Sequence, residues 1–302
     1  MSVLSNSCSM RSSAVVLSLF LVVSCASKPL RPISRQLIDA AKYSPQASLV
    51  DGPVQLINGN WDGPSDTGFS HPYVSIMPDF TVYGDIDRDG NNEAVVVVHE
   101  SGGGSGIDRV LALFGRVGDE VRHFGSVRLG DRVQVRSVQI KPAQLIAEYV
   151  RQGENEPRCC PTEVARTTWN YADGKFSIAA DDILGKLGPA FLTGKIWDLQ
   201  PPSNPPVTLT FNDGRFSGQT GCGHYEVPVK QGEYGGAIVI EHTSKKPLNC
   251  TSSDNEFLDR LQHVSRMGFL PDRLWMSYDL GGDKETGTLE FKEAAKPTSS
   301  QP

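Results

Sequence analysis

Asp85-x-Asp87-x-Asp89-Gly90-x-x-Glu93 is the densest concentration of chemistry in this chain. Carboxylates at alternate positions converge on one point when the backbone coils, and a glycine in sixth place permits the sharp turn, which is how a calcium loop begins. Asn91 would add a backbone carbonyl, and Glu93 a direct or water-mediated contact. The bidentate glutamate of a full loop is missing, because Val96 stands at the twelfth position. Asp85, Asp87, Asp89, Asn91 and Glu93 are thus candidate ligands for calcium, bound at the modest affinity of extracellular modules, about 0.1–1 mM. The alternative is a metal-free polar turn whose Asp side chains cap its backbone. A single copy of the loop, with no internal repeat, argues against a propeller.

Other catalytic patterns are missing. His71, His99, His123, His224, His242 and His263 form no His-x-x-x-His pair. There is no Gly-x-Ser-x-Gly elbow. Ser101-Gly102-Gly103-Gly104-Ser105-Gly106 lacks the Gly-Lys-Ser/Thr ending of a phosphate loop and reads as a hairpin loop. Gly221-Cys222-Gly223-His224 sets a thiol near an imidazole, a Cys–His arrangement that competes with a disulfide. Trp61, Trp169, Trp197 and Trp275 read as core anchors, one of which could line a groove.

The elements that must position these residues are mostly strands. Ala94–Val98 is a buried β-branched run and Val110–Phe114 the next strand. Others follow at about 121–129, 133–140 and 145–149. Asp173-Gly174 and Asp213-Gly214 lie between apolar runs and predict two tight hairpins. Strands are also expected at 196–199, 237–240, 273–278 and 287–291. One helix is predicted from Asp254 to Met267, capped by Ser252 or Ser253, with Phe257, Leu258, Leu261 and Val264 at helical spacing.

The N-terminus supplies an address. Arg11, an apolar run from Ala14 to Val23, and Ser24 before Cys25 have the layout of a secretory signal. The run is far below the roughly 20 residues that span a bilayer. Its Val22-Val23-Ser24-Cys25 ending resembles a bacterial lipoprotein signal, which implies that residues 1–24 are removed and Cys25 is lipidated, with palmitate among the acyl chains. Such lipoproteins carry three chains, enough for stable anchoring. Ala26, where an Asp would retain the protein at the inner membrane, implies the outer membrane, facing the periplasm. Met10 is an alternative start. Residues 25–50 read as a tether with one short amphipathic patch, Ile33 to Ala41.

The formal charge of −6 becomes one unit more negative when Arg11 leaves with the signal. An acidic chain has no electrostatic footprint for nucleic acid and no polybasic segment for anionic lipid. The membrane is therefore a partner only through the anchor.

Gly194-Lys195-Ile196-Trp197-Asp198-Leu199, Thr208–Phe211, Phe216-Ser217-Gly218, Gly221-Cys222-Gly223-His224-Tyr225, Leu248-Asn249-Cys250, Phe257–Leu261 and Leu289-Glu290-Phe291 agree in order and spacing with one known module. Residues 190–293 resemble a META domain of the heat-shock protein J family of envelope proteins. Gly223 replaces the usual Asn, and Pro247-Leu248-Asn249 replaces the usual Met-Ala stretch. The first half more weakly resembles lipoproteins of the LppP/LprE kind, through Gly84–Gly90, Ser101–Gly106, Leu129–Val133 and Cys159-Cys160-Pro161-Thr162. Neither resemblance implies a reaction.

The expected fold class is α+β and mostly β. A signal (1–24) and tether (25–50) precede an antiparallel β domain with the Asp-rich loop (51–182). A META-like antiparallel sheet or partial barrel with one helix (188–293) and a disordered tail (294–302) follow. With Cys25 acylated, four mature cysteines remain in an oxidising compartment. Cys222–Cys250, both inside the META-like unit, is the favoured bridge. Cys159 and Cys160 would then form a vicinal bridge, stay unlinked, or pair across domains. The functional expectation is a non-catalytic envelope lipoprotein, a binding, stress-protective or assembly-assisting module with an envelope protein partner. The alternative is a calcium-dependent envelope hydrolase built on the Asp85–Glu93 loop.

Overall fold

The structure is a computed structural model that describes residues 32–46, 50–64, 71–241, 247, 249–282 and 285–294. Cys25, the signal before it, His242, Leu248 and the tail beyond 294 lie outside the described residues.

Pro32 onward forms one compact unit of three β layers and a barrel. The first layer holds the helical turn α1 (Arg35–Asp39) and the two-stranded ribbon β1 (Lys42–Tyr43) and β2 (Val54–Gln55). The second is an antiparallel sheet of β3 (Asn60–Asp62), β4 (Tyr73–Ile76), β5 (Val82–Gly84), β6 (Glu93–Ser101), β7 (Asp108–Val117) and β8 (Glu120–Asp131). The third is the meander of β9 (Gln134–Lys141), β10 (Gln144–Arg151), β11 (Glu163–Ala172) and β12 (Lys175–Lys186).

The valine run is explained by its place in the middle. Val95 and Val97, with Leu111 and Leu113, face Val135, Leu145, Tyr149 and Trp169 of the third layer. Ala94, Val96 and Val98 face Ile38, Tyr43, Val54 and Leu56 of the first. A strand covered on both faces has no solvent side to keep polar, so it reads as continuous apolar sequence. Part of the segment expected as a tether packs on the fold instead. From Ile33 to Tyr43 the chain is a covering layer, with Ile38 and Tyr43 fully buried. Tyr43 donates its hydroxyl to the buried Glu100 carboxylate at 2.5 Å, and the Gln46 N–H donates to the same group at 2.9 Å.

Both Asp-Gly hairpins form as expected. Asp173 and Gly174 (φ 50° and 73°) and Asp213 and Gly214 (φ 48° and 72°) make two-residue loops of left-handed residues, matching the twist of the flanking strands.

After a short 3-10 turn at Pro189–Leu192, the chain forms an eight-stranded antiparallel barrel. Its strands are β13 (Trp197–Gln200), β14 (Thr208–Asn212), β15 (Arg215–Thr220), β16 (Gly223–Gln231), β17 (Ile238–Ile240), β18 (Val264–Leu270), β19 (Arg273–Asp279) and β20 (Thr286–Glu293), with helix α2 (Ser252–Gln262) between β17 and β18. Among the described residues the last two edges meet at the Ala237–Arg266 bridge, with Met267 N–H donating to Gly236 O at 2.8 Å. The barrel is nearly closed. Phe257, Leu258 and Leu261 of α2 bury into the core shared by Trp197, Phe216 and Phe291. Gly218 is required where it stands, because a Cβ there would lie 1.9 Å from Thr208 O.

The helix is shorter than expected. Its N-cap is Thr251, in a capping box with Asp254, rather than Ser252 or Ser253, and it stops at Gln262. Val264 to Leu270 is strand, so Val264 and Met267 reach the same core from an extended backbone.

The third layer is stitched to the barrel. Gln134 Oε1 accepts the Phe269 N–H and Arg136 O the Asp272 N–H, both at 2.8 Å. Arg136 pairs with Glu148 beside it and with Glu293 of the barrel at 2.7 Å.

Candidate functional site

The Asp-rich segment is the loop between β5 and β6, closed at its base by the Gly84–Glu93 pair. Its hold on the fold is Ile86, fully buried in the core between the second and third layers. The Ile86 carbonyl accepts the Ala143 N–H from the β9–β10 turn at 2.8 Å. With Ile86 pointing in, the residues on either side point out. Arg88 and Gly90 take positive φ (66° and 88°), which turns the chain back on itself. Gly90 thus fills the role foreseen for the sixth position.

Three carboxylates meet at the tip. Ligand-capable oxygens of Asp85, Asp87 and Asp89 all lie within 4.8 Å of one another. Each also caps the backbone. Asp85 accepts from the N–H of Asp89 and of Gly90 at 3.1 Å, Asp87 accepts from Asp89 N–H at 3.1 Å, and Asp89 accepts from Asn91 N–H at 2.7 Å. A carboxylate has about four lone-pair sites, so every one of them keeps acceptor capacity. Among the described residues none of the three forms an ion pair with a Lys, Arg or His. Partial burial, then the charges of Asp89 and Asp85, push the Asp87 carboxyl above its ordinary range.

The side chains of Asn91 and Glu93 lie outside the cluster of three. The Asn91 amide donates to Asp89 at 2.9 Å, so its side chain braces the cluster. Glu93 turns under the loop, is 3 % exposed, and accepts the Ile86 N–H at 3.0 Å. Burial first, and the three aspartates next, push its carboxyl up to about 7. Asp85, Asp87 and Asp89 can hold a metal ion, while Glu93 supports the loop from inside.

Cys222 and Cys250 are joined in a disulfide with Cα atoms 4.9 Å apart. It ties the β15–β16 turn to the residue just before the α2 cap. Asp254 serves the same junction, accepting from Gly221 N–H at 2.9 Å and from the Thr251 hydroxyl at 2.7 Å. A thiol held this way is no nucleophile, and His224 is an exposed histidine 3.6 Å from Glu226. Cys159 and Cys160 are bonded to each other in the β10–β11 loop. Ser101–Gly106 closes on itself, the Ser101 hydroxyl donating to Gly106 O at 3.1 Å, as a hairpin loop should.

One polar pair belongs to no spacing motif. His99 and Arg109 face each other across β6 and β7 on the apolar side. Strict alternation from Val95–Val97 and from Leu111–Leu113 was the signal that could have found them.

No family model, curated protein or solved structure matches the chain.

Proposed function

We propose that the protein is a non-catalytic binding lipoprotein of the bacterial envelope, anchored through Cys25, whose Asp85–Asp87–Asp89 loop holds calcium. One observation carries the calcium: three mutually close carboxylates sit at an outward-facing hairpin tip, two of them exposed, and among the described residues none forms an ion pair with a cationic side chain. Such a tip suits a cation that braces the loop. It does not suit catalysis, which needs a nucleophile or base beside the ion in a sheltered site. The META-like reading of the second half fits an antiparallel barrel with one helix, and it favours a protein or stress partner over a reaction.

Equilibrium dialysis with calcium-45 should show one saturable site that Asp87→Asn removes; no saturable uptake at 10 mM calcium would refute the metal. Cys25→Ala should shift the protein from the membrane fraction to the soluble one. A variant that still sediments with membranes would refute the anchor.

A further inference from the structure

The inner face of the second layer changes character at one end. Val95 and Val97 on β6, and Leu111 and Leu113 on β7, are fully buried in the core. The next positions in the same rows are His99 and Arg109, paired directly across the two strands. Arg109 Nη1 and His99 Nε2 are shut off from solvent, and neither has a hydrogen-bond partner among the described residues. Arg109 as a whole is part-buried, so water solvates its charge only in part. Asp131 acts on Arg109 only through space, since its carboxylate accepts the Ile107 N–H at 2.8 Å and pairs with Arg132. Burial draws the Arg109 guanidinium below its ordinary value. Burial, and then the charge of Arg109, lower His99 to about 4, so at neutral pH the imidazole is uncharged and the guanidinium is the only charge of the pair.

Arg109 lies on the wall of a cleft of about 440 Å3 between the second and third layers and the β18–β19 hairpin. Its accessible apolar lining is Met77, Leu270, Pro271 and Trp275, with the buried Val133, Val135 and Phe269 behind them. Glu290, the acid on the rim, is taken by Arg273 at 2.7 Å. The cleft is preformed, because Gln134 and the Asp272 N–H fix the hairpin to β9 beneath it. A cleft with apolar walls and one convergent, unmatched cation is the form of a small-molecule site.

We propose that this cleft binds a small amphipathic carboxylate, with its anionic head on Arg109 and its apolar body against Leu270, Pro271 and Trp275. His99 backs the guanidinium without adding charge. The site is separate from the calcium loop and does not depend on it or on the anchor.

The test is calorimetry on the purified full chain with decanoate and with decanol, which share a chain and differ in the charged head. A charge-assisted hydrogen bond is worth about 1.5–3 kcal/mol, so decanoate should bind about tenfold or more tightly than decanol. Arg109→Met should bring the two affinities together while decanol binding persists, which also reports that the variant is folded. Arg109→Gln serves the same purpose if the Met variant fails to fold. Trp275→Ala should weaken both ligands. Equal affinities in the unaltered protein, a preference that survives loss of Arg109, or no saturable decanoate binding would each overturn the proposal.

Discussion

Among the turns built around carboxylates, two solve the same problem in opposite ways. At the β15–β16 turn a single acid, Asp254, is matched by Gly221 N–H and by the N–H and hydroxyl of Thr251, and a disulfide closes the junction beside it. The hydrogen bond from Thr251 holds Asp254 below the usual carboxylate range. At the β5–β6 loop three acids share one tip with no covalent tie, and burial with mutual repulsion moves Asp87 and Glu93 the other way. Donors aimed at a carboxylate favour its charged form, and crowded carboxylates disfavour it. The first turn is self-sufficient. The second has acceptor capacity left over that a cation would use.

Breaking the staple should have the largest effect. Cys222 and Cys250 close a loop with a sequence separation of 28. In the chain-entropy model, replacing both with Ser should cost about 3–4 kcal/mol, read as a lower urea midpoint. Replacing Cys159 and Cys160 with Ser is the control. They are adjacent and close no loop, so the loss should stay under about 1 kcal/mol. Equal losses would erase the distinction between the two bridges.

Asp254→Ala comes next, at about 2 kcal/mol, since it removes both a helix cap and the partner of a part-buried N–H. Because the folded carboxyl is depressed, its contribution is present above the unfolded value near 4 and fades as pH falls through the folded one. The cost of Asp254→Ala should therefore shrink in acid. A cost that stays constant from pH 7 to pH 3 would show that Asp254 acts by packing alone.

Calcium should reach only the other turn. At ten times the dissociation constant, a ligand of the native state adds about 1.4 kcal/mol. That gain should appear as a higher melting temperature, vanish in Asp87→Asn, and survive loss of the Cys222–Cys250 bridge. A gain that persists without Asp87 would place the ion elsewhere.

Much of this contrast was legible in the sequence, because its parts are local. Spacing placed Asp85, Asp87 and Asp89 around Gly90, and Asp-Gly pairs marked two hairpins. What stayed hidden depends on distant partners. Val264 and Met267 suit a helical stripe, and only the barrel, which draws the chain from Val264 into β18, decides against it. Ile38 and Tyr43 lie in a stretch that looks like linker until the outer face of the second layer, more than 50 residues along, needs a cover. Glu93 looked like a ligand because its spacing is right. Its inward turn is set by the Ile86 N–H and by the strand register at Gly84.

That inward turn gives the smallest prediction, and it separates the two turns by sign. A carboxyl raised to about 7 when folded binds more protons than in the unfolded chain between about 4.5 and 7. Stability must then fall as pH rises through that window, the reverse of the Asp254 behaviour. Glu93→Gln keeps an acceptor for the Ile86 N–H and removes the charge. At pH 8 it should raise stability by on the order of 1 kcal/mol, with no gain at pH 4, as read from urea midpoints at both pH values. Calcium at the tip should reduce the benefit, because a cation beside Asp85, Asp87 and Asp89 offsets the repulsion that Glu93 feels. A Glu93→Gln variant that is less stable at pH 8 would mean that the charge under the loop is wanted, and that Glu93 serves the ion after all.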